Sequence, residues 1–361
     1  MKGFLRNLLP RKDICTAVDL GTSAIKVAEV RLQDGRPRIA ALGAVPTPPD
    51  FAAGNLDSEE VAAALREALE ISGAEGRDCV TGITGQKVIT RHIRMPVIPE
   101  KELAKAVRWE AEKFIPVSLE ESTIKYVKLA EELSDGEARS HLLLIAVPTE
   151  LTYRYFDLFK RAGMHLAAID LYPLAIFRAY NSLVNSSIGS ETVAVVHFGA
   201  NTSQFVLHRE SRLLYNRTMP VGGNLITEML ARNLGVEYAE AEKVKLAGAG
   251  PEVLDEVAAA AGTMRGQVDL ALQEGSGDLV REIIRSLEFY RSQEKALPVD
   301  KIIVSGGVSK MRGIVSVLEK ELDLPVAVGS LGSPVDDDLG TDVIDNVYAA
   351  AVGLALREVD F

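Results

Sequence analysis

Three glycine-bearing turns hold the residues of this chain whose types and spacing suit phosphate chemistry. The first is Asp19-Leu-Gly21-Thr22-Ser23, between the apolar runs Ile14-Cys-Thr-Ala-Val18 and Ala24-Ile-Lys26-Val27. Gly21 lets backbone approach a phosphate closely, and Thr22 and Ser23 offer N–H and O–H donors. Asp19, emerging from an apolar strand, suits a Mg2+ ion held through water, and Lys26 on the outgoing strand joins the candidate set. The second turn, Gly199-Ala-Asn201-Thr202-Ser203, lies within the strand-like stretch Val193 to Leu207 and repeats the first pattern. The third is Gly306-Gly307, after Lys301-Ile-Ile-Val-Ser and before Lys310 and Met311. Paired glycines there admit a flat nucleoside against bare backbone. Gly222-Gly223 and the pair Glu242 and Lys245, which share one helical face, complete the candidate binding residues.

These turns need strands and helices to aim them at one another. A hairpin repeated once predicts a duplicated, two-lobed α/β fold with phosphates clamped between the turns. Asn346 to Ala355 is rich in Ala and Gly and predicts a closely packed final helix. Between the first two turns lies a module without nucleotide motifs. Val88 to Pro96 alternates as a strand, and Pro99 to Ile115 reads as an amphipathic helix ending before Pro116. Its expected core stripe is Leu103, Val107 and Phe114, with Ala106 and Ala111. Strands near Ile124 to Leu129 and His141 to Val147, a turn at Asp135-Gly136, and a helix from Thr149 to Ala162 before Gly163 complete an α+β subdomain.

The bulk properties narrow the function classes. A chain of 361 residues with 47% hydrophobic content is long enough for two domains with well-buried cores. A net charge of −11 argues against a nucleic-acid-binding surface. Cys15 and Cys79 lie in apolar strands and read as buried thiols of a reduced, cytoplasmic protein. No run approaches the ~20 apolar residues of a membrane span, and no signal peptide is visible. In residues 1–12, Phe4, Leu5, Leu8 and Leu9 share a helical face bordered by Lys2, Arg6, Arg11 and Lys12. That pattern suits either peripheral contact with an anionic membrane or a strip packed on the protein.

The three turns in this order resemble the phosphate 1, phosphate 2 and adenosine motifs of the actin-like ATPase superfamily, which includes actin, Hsp70, sugar kinases and FtsA. Asn346 to Ala355 is similar to that superfamily's last helix. The inserted module resembles the extra subdomain of FtsA. Arg94-Met-Pro96, Glu102-Leu103, Trp109-Glu110-Ala111 and Ile115-Pro116 look more like the PilM family of type IV pilus assembly proteins. So do Phe4-Leu-Arg-Asn-Leu-Leu9, Ala17 to Lys26, Gly222-Gly223-Asn224-Leu-Ile-Thr227 and Ala239 to Lys245. FtsA usually carries a longer tail with a terminal membrane helix, so the end at Phe361 is read as favouring PilM.

The resemblance implies an actin-like ATPase fold of two duplicated lobes with an FtsA-type inserted α+β subdomain. The implied division is 13–85 and 169–196 for the first domain core, with 346–361 returning to it. Residues 86–168 form the inserted subdomain and 197–345 the second domain. It further implies an ATP- and Mg2+-binding cytoplasmic scaffold, peripheral at the inner membrane and serving twitching motility. Its partners would be the N-terminal peptide of PilN, held between the inserted subdomain and the first domain, and other inner-membrane pilus assembly components. An FtsA-like filament-forming ATPase and a small-molecule kinase are the rival readings.

Turnover is expected to be weak. Hydrolysing relatives open the second phosphate turn with Asp, where this chain has His197, and a neutral imidazole brings no charge to Mg2+. Their water-orienting Glu or Gln corresponds to Tyr172, with Asp170 as a neighbouring substitute. Met311 is read either as stacking on adenine or as simple packing, and Glu242–Lys245 either as a nucleoside contact or as an ordinary helix pair. Trp109 is expected in the core or its rim, or lining the peptide groove. Glu110 and Glu112 read as a solvated face and Asp336-Asp337-Asp338 as a solvated loop. His92, His141, His165 and His208 show no ligand-like spacing, so no metal role is assigned to them.

Overall fold

Asp19 and Lys26 face each other across a hairpin of two strands, β1 (Ile14–Leu20) and β2 (Ala24–Gln33). β1 is almost wholly buried, which explains why its residues other than Thr16 and Asp19 are apolar. β3 (Arg36–Pro46) extends the hairpin antiparallel, while β4 (Asp78–Ile83) and β8 (His165–Leu171) add to the other side of β1 in parallel, giving the order β3-β2-β1-β4-β8. The second lobe repeats this plan. β9 (Thr192–Phe198), β10 (Ser203–Arg209) and β11 (Arg212–Met219) form the meander, and β12 (Lys301–Gly306) and β13 (Val326–Val328) run parallel to β9, in the order β11-β10-β9-β12-β13. The two sheets therefore share one topology. The computed structural model describes residues 14–33, 36–85, 87–115, 119–134, 136–184, 190–247, 265–293, 296–331 and 344–357. The amphipathic segment 1–12, Asp135 and Asp336-Asp337-Asp338 lie outside the described residues.

The module sheet has the order β5-β7-β6, from β5 (Ile89–Pro96), β6 (Ser122–Ser134) and β7 (Glu137–Pro148). Strands β6 and β7 are longer than expected and are joined through Gly136, whose φ of 80° suits glycine. After α1 (Pro49–Ala52) and α2 (Glu59–Ser72) of the first lobe, α3 (Glu100–Ala111) covers this sheet with Leu103, Val107 and Ala111. Ala106 is only half-buried. The helix stops a turn earlier than the sequence suggested. Ile115 then takes the core place expected of Phe114, which is 40% exposed. Trp109, expected in the core or rim, is 77% exposed, because it lies about 200° around the helix from Val107. α4 (Thr149–Arg161), grouped with the module by sequence, packs Tyr155, Leu158 and Phe159 into the first lobe's core. Cys15 and Cys79 are buried there as free thiols.

The two lobes meet around α5 (Tyr172–Val184) and α10 (Ala349–Ala355). Every residue of α10 is buried. A Cβ on Gly353 would sit 1.8 Å from the carbonyl oxygen of Ala175, so only hydrogen fits. The Arg178 guanidinium donates to the Gly353 carbonyl at 3.1 Å and fixes the same crossing. We expect Gly353→Ala to lower unfolding stability by at least ~2 kcal/mol through overpacking, read from urea denaturation. An unchanged midpoint would show that α10 has room to move away from α5.

Candidate functional site

A cleft of about 350 Å³ opens between the lobes, within the usual range for small-molecule pockets. From the first turn it is lined by Asp19, Gly21, Thr22 and Ser23, with Lys26 on β2. Thr47 fixes this turn: its Oγ1 donates to the Gly21 carbonyl at 2.6 Å and its N–H to the Ser23 carbonyl at 3.1 Å. From the second turn come Gly199, Asn201 and Thr202, closed by the Gly199 N–H donating to the Thr202 carbonyl. α6 (Gly223–Leu234) starts against this turn, with the N–H groups of Gly223 and Asn224 donating to the carbonyls of Gly199 and Ala200. The Asn224 amide in turn donates to Asn201 Oδ1 at 2.7 Å.

The third turn meets the cleft with Gly306 and Gly307. Gly306 has a φ of 81° and no room for a Cβ beside Phe198. A Cβ on Gly307 would meet no protein atom within 4 Å, so this backbone faces open cleft. Asn346 anchors the turn by accepting from the Gly306 N–H at 3.2 Å and donating to Ser309 and to the Gly329 carbonyl. On α7 (Tyr238–Ala247), Glu242 and Lys245 both line the cleft and also pair with each other at 2.6 Å. The buried Lys245 ammonium further donates to Thr227 and the Gly223 carbonyl.

Four candidates lie away from the cleft lining. Ser203 is buried and donates to the Val221 carbonyl at 2.7 Å. Gly222 serves packing, since its Cβ would lie 2.3 Å from the Ala200 carbonyl oxygen. Met311 is buried in the second lobe's core, and Lys310 pairs with Asp345. Thr84 and Gln204 line the cleft although the sequence reading passed over them. A polar Gln204 inside an apolar strand was the available signal; Thr84, just past β4, offered none.

The charges explain what the cleft can do. The Asp19 carboxylate pairs with Lys26 at 3.2 Å, leaving the ammonium in the cleft to meet an anion. Burial lowers the His197 pKa to about 4 despite the opposing pull of Asp19, so its imidazole is neutral near pH 7. Its Nδ1 lies 2.8 Å from Ser305 Oγ. The Tyr172 ring fills space that a Cβ on Gly82 would occupy, and its buried hydroxyl has no well-formed hydrogen bond. Burial, then the Asp19 charge, push that phenol well above its usual range. Asp170 does not substitute for Tyr172: its carboxylate is held by Arg178, with Arg357 at 3.6 Å, and lies outside the cleft.

A larger groove of about 1020 Å³ adjoins the cleft and shares Thr84, Asn201 and Thr202 with it. It runs between β5 and β11, the end strands of their sheets, with Arg285 and Phe289 from α8 (Arg265–Arg291) at one side. Phe289 is 56% exposed and lies 5.6 Å from the Tyr215 ring, centroid to centroid. The scattered histidines of the sequence are not all scattered in space. His92 Nδ1 is 3.0 Å from His141 Nε2, and His92 Nε2 is 2.9 Å from Asn216 Oδ1. Asn216 Oδ1 accepts, so His92 donates from Nε2 and receives a hydrogen bond from His141.

The model of the type IV pilus assembly protein PilM family matches residues 17–359. This chain belongs to the PilM family. A solved PilM–PilN type IV pilus biogenesis complex superimposes with a TM-score of 0.80 at 28% identity, covering 97% of this chain and 100% of the other. FtsA of Bacillus subtilis strain 168 is 22% identical over 351 residues, 88% of this chain and 79% of FtsA. FtsA of Neisseria meningitidis serogroup B is 29% identical over 186 residues, covering 47% of this chain and 43% of that protein. The chain thus spans less than half of that FtsA. The ethanolamine utilization protein EutJ of Carboxydothermus hydrogenoformans shares the fold, with a TM-score of 0.52 at 16% identity. The fold is that of the actin-like ATPases. Among the described residues of this PilM-family chain, no helix is long and apolar enough to cross a membrane.

The His92 contact ties the inserted sheet of this PilM-family chain to its second lobe and gives the fold a pH dependence. Burial, then His141, lower the His92 pKa from 6.5 to about 4. Between those values the unfolded chain binds a proton that the folded chain refuses. Stability is therefore complete above about pH 6.5 and falls as the pH drops toward 4. Moving from pH 7 to pH 5 should cost on the order of 2 kcal/mol through this residue. In urea unfolding, His92→Gln should show a correspondingly smaller loss between the two pH values. Equal losses in both proteins would remove His92 as the cause.

Proposed function

We propose that this chain is an ATP-binding scaffold of the type IV pilus assembly machinery, working at the cytoplasmic face of the inner membrane. The observation that carries the nucleotide half is the convergence of three bare-backbone turns and the Lys26 ammonium on one cleft. Gly21, Thr22, Ser23, Gly199, Asn201 and Thr202 suit the phosphates, and Gly306 and Gly307 suit the nucleoside, flanked by Glu242 and Lys245. Mg2+ would sit on the phosphates and reach Asp19 through water, as this small cation commonly does. The neutral His197 adds no charge there, and Tyr172 stands where a base or water-orienting group would be needed, so turnover is slow.

The partner half rests on family membership and on the solved PilM–PilN complex. The resemblance implied a peptide between the inserted subdomain and the first domain; in our reading the groove beside β5, whose first-lobe wall is Ile83, Thr84 and Leu171 and whose opposite wall is β11, holds the short N-terminal cytoplasmic peptide of a PilN-type inner-membrane protein. An extended peptide suits a site bordered by two end strands, using main-chain hydrogen bonds for affinity and side-chain pockets for specificity. Tyr215 and the exposed Phe289 offer an aromatic anchor point. This scaffold would connect such a protein to other inner-membrane assembly components and so to twitching motility. An FtsA-like filament is the second reading, supported by the match to Bacillus FtsA over 88% of the chain.

Two measurements test these halves separately. Calorimetry should show ATP–Mg2+ binding by the wild type, weakened more than about tenfold by Gly307→Leu, whose side chain would enter open cleft without striking the protein. The same samples should release phosphate far below ~1 s⁻¹. No ATP binding by folded wild type would sink the nucleotide reading. For the partner, a fluorescent PilN N-terminal peptide should bind the wild type and bind about tenfold more weakly to Phe289→Ala. Undiminished binding would move the peptide site elsewhere.

A further inference from the structure

The two duplicated hairpins can be laid over one another residue by residue. β1 and β9 are each seven residues long, and each runs into the glycine of its turn, Gly21 or Gly199. The next-to-last residue of β1 is Asp19 and that of β9 is His197, and both line the cleft. The Asp19 charge acts on the His197 ring, so the two lie within electrostatic reach of each other. Each has one engaged atom and one left over. Lys26 takes Asp19 Oδ2 at 3.2 Å, which leaves Oδ1. Ser305 Oγ lies 2.8 Å from His197 Nδ1, and Nε2 has no hydrogen-bond partner among the described residues.

This is the setting of a metal-ligating imidazole. Such a ring ligates through one nitrogen and donates from the other to a fixed oxygen, which sets its tautomer and orientation. Ser305 supplies that oxygen: it is fully buried and sits opposite His197 in the β9–β12 pairing. Its hydroxyl can accept from Nδ1–H, and its own proton can turn to the Tyr180 oxygen beside it, which has no other partner. His197 is itself only 8% exposed, so a polar nitrogen without a partner is held at the edge of a polar cleft.

The identity of the ion follows from the donors. Mg2+ takes oxygen ligands and keeps its waters, so it makes no use of an imidazole. Imidazole nitrogen suits divalent ions of the first transition row. Among the described residues no cluster of three or more His, Cys, Asp or Glu could hold a metal ion. Phosphate oxygens and water must therefore complete the shell. Lys26 already balances Asp19, which disfavours a divalent ion arriving without phosphate.

We propose that His197 Nε2 ligates the divalent ion that accompanies the nucleotide, with Asp19 as its carboxylate partner, and that the cleft therefore prefers Mn2+ or Co2+ to Mg2+. This rests on reading the cleft as a nucleotide site. His197 then selects among metal ions, a task that needs a neutral ring and that a second carboxylate would not perform.

The test uses the full chain and ATP saturated beforehand with Mg2+, Mn2+ or Co2+. Calorimetry should give a dissociation constant about tenfold or more lower with Mn2+ and Co2+ than with Mg2+. His197→Asp, which offers oxygen in place of nitrogen, should bring that ratio close to one. A second readout needs no variant and so stands even if His197→Asp does not fold. Pulsed EPR of the wild-type Mn2+–ATP complex should show a directly coordinated nitrogen, and its coupling should change when the histidines alone carry the heavy nitrogen isotope. ATP that binds equally well with all three ions overturns the proposal and leaves the nucleotide reading intact. So does a wild-type Mn2+–ATP complex without histidine nitrogen coupling, which would leave His197 at most a hydrogen-bond donor to phosphate. Failure of ATP to bind with any of the ions overturns the proposal together with the nucleotide reading.

Discussion

The contact between Gly353 and the Ala175 carbonyl seats α10 on α5, the helix that also packs on β9, β10 and β11 of the second lobe. It permits α10 to lie against α5 with nothing larger than hydrogen between them. Just before α10, Asn346 holds the Gly306 N–H, Ser309 and the Gly329 carbonyl of the second lobe. One short segment thus packs in the first lobe's core and grips the third turn. Through this segment the third turn, on the second lobe, is referred to the core that carries the first. The cleft inherits its width from a steric limit, and such limits are stiff because protein interiors are close-packed.

Within that fixed space the electrostatics favour holding an anion over transforming it. Lys26 and Lys245 bring positive charge, each partly balanced by its own carboxylate, Asp19 and Glu242. At the turns Thr22, Ser23, Asn201 and Thr202 line the cleft with hydroxyl and amide donors, which meet an anion without titrating. The groups beside Asp19 that could move a proton are both silenced by burial. His197 stays neutral and Tyr172 keeps its proton at any ordinary pH. A site built this way keeps the cost of binding low and supplies little that is specific to a phosphoryl-transfer transition state.

How much of this the sequence announced follows from the range of the physics involved. The three turns were legible because glycine, Asp and hydroxyl residues at strand ends are local requirements, readable within a dozen residues. The duplicated topology followed from the repeated hairpin. The chain could not announce contacts made across long separations. His92 and His141 are 49 positions apart in sequence and meet only through the β5–β7 pairing. Thr84 enters the site because a distant strand ends beside it. Asp170 looked available in sequence and is occupied in space by Arg178, eight positions on, and by Arg357. Phe114 was misread for a smaller reason: the helix ended one turn sooner, and the periodicity that placed Phe114 inward ended with it.

The position of β11 shows why an insertion remote from the nucleotide motifs need not be independent of them. An end strand would ordinarily leave one row of backbone groups for solvent or for another chain. Here the side chains of β11 also receive the first lobe at Thr218, the module at Asn216 and α8 at Arg217, through Glu282 at 2.8 Å and Ser286 at 3.2 Å. Three parts of the molecule therefore agree on where one strand lies. A strand so placed cannot shift against one neighbour without straining its contacts to the others. The same side chains form a wall of the groove. The groove's shape is then a consequence of lobe arrangement rather than a property of the module alone, and a peptide lying in it would be in contact with the relative position of the lobes.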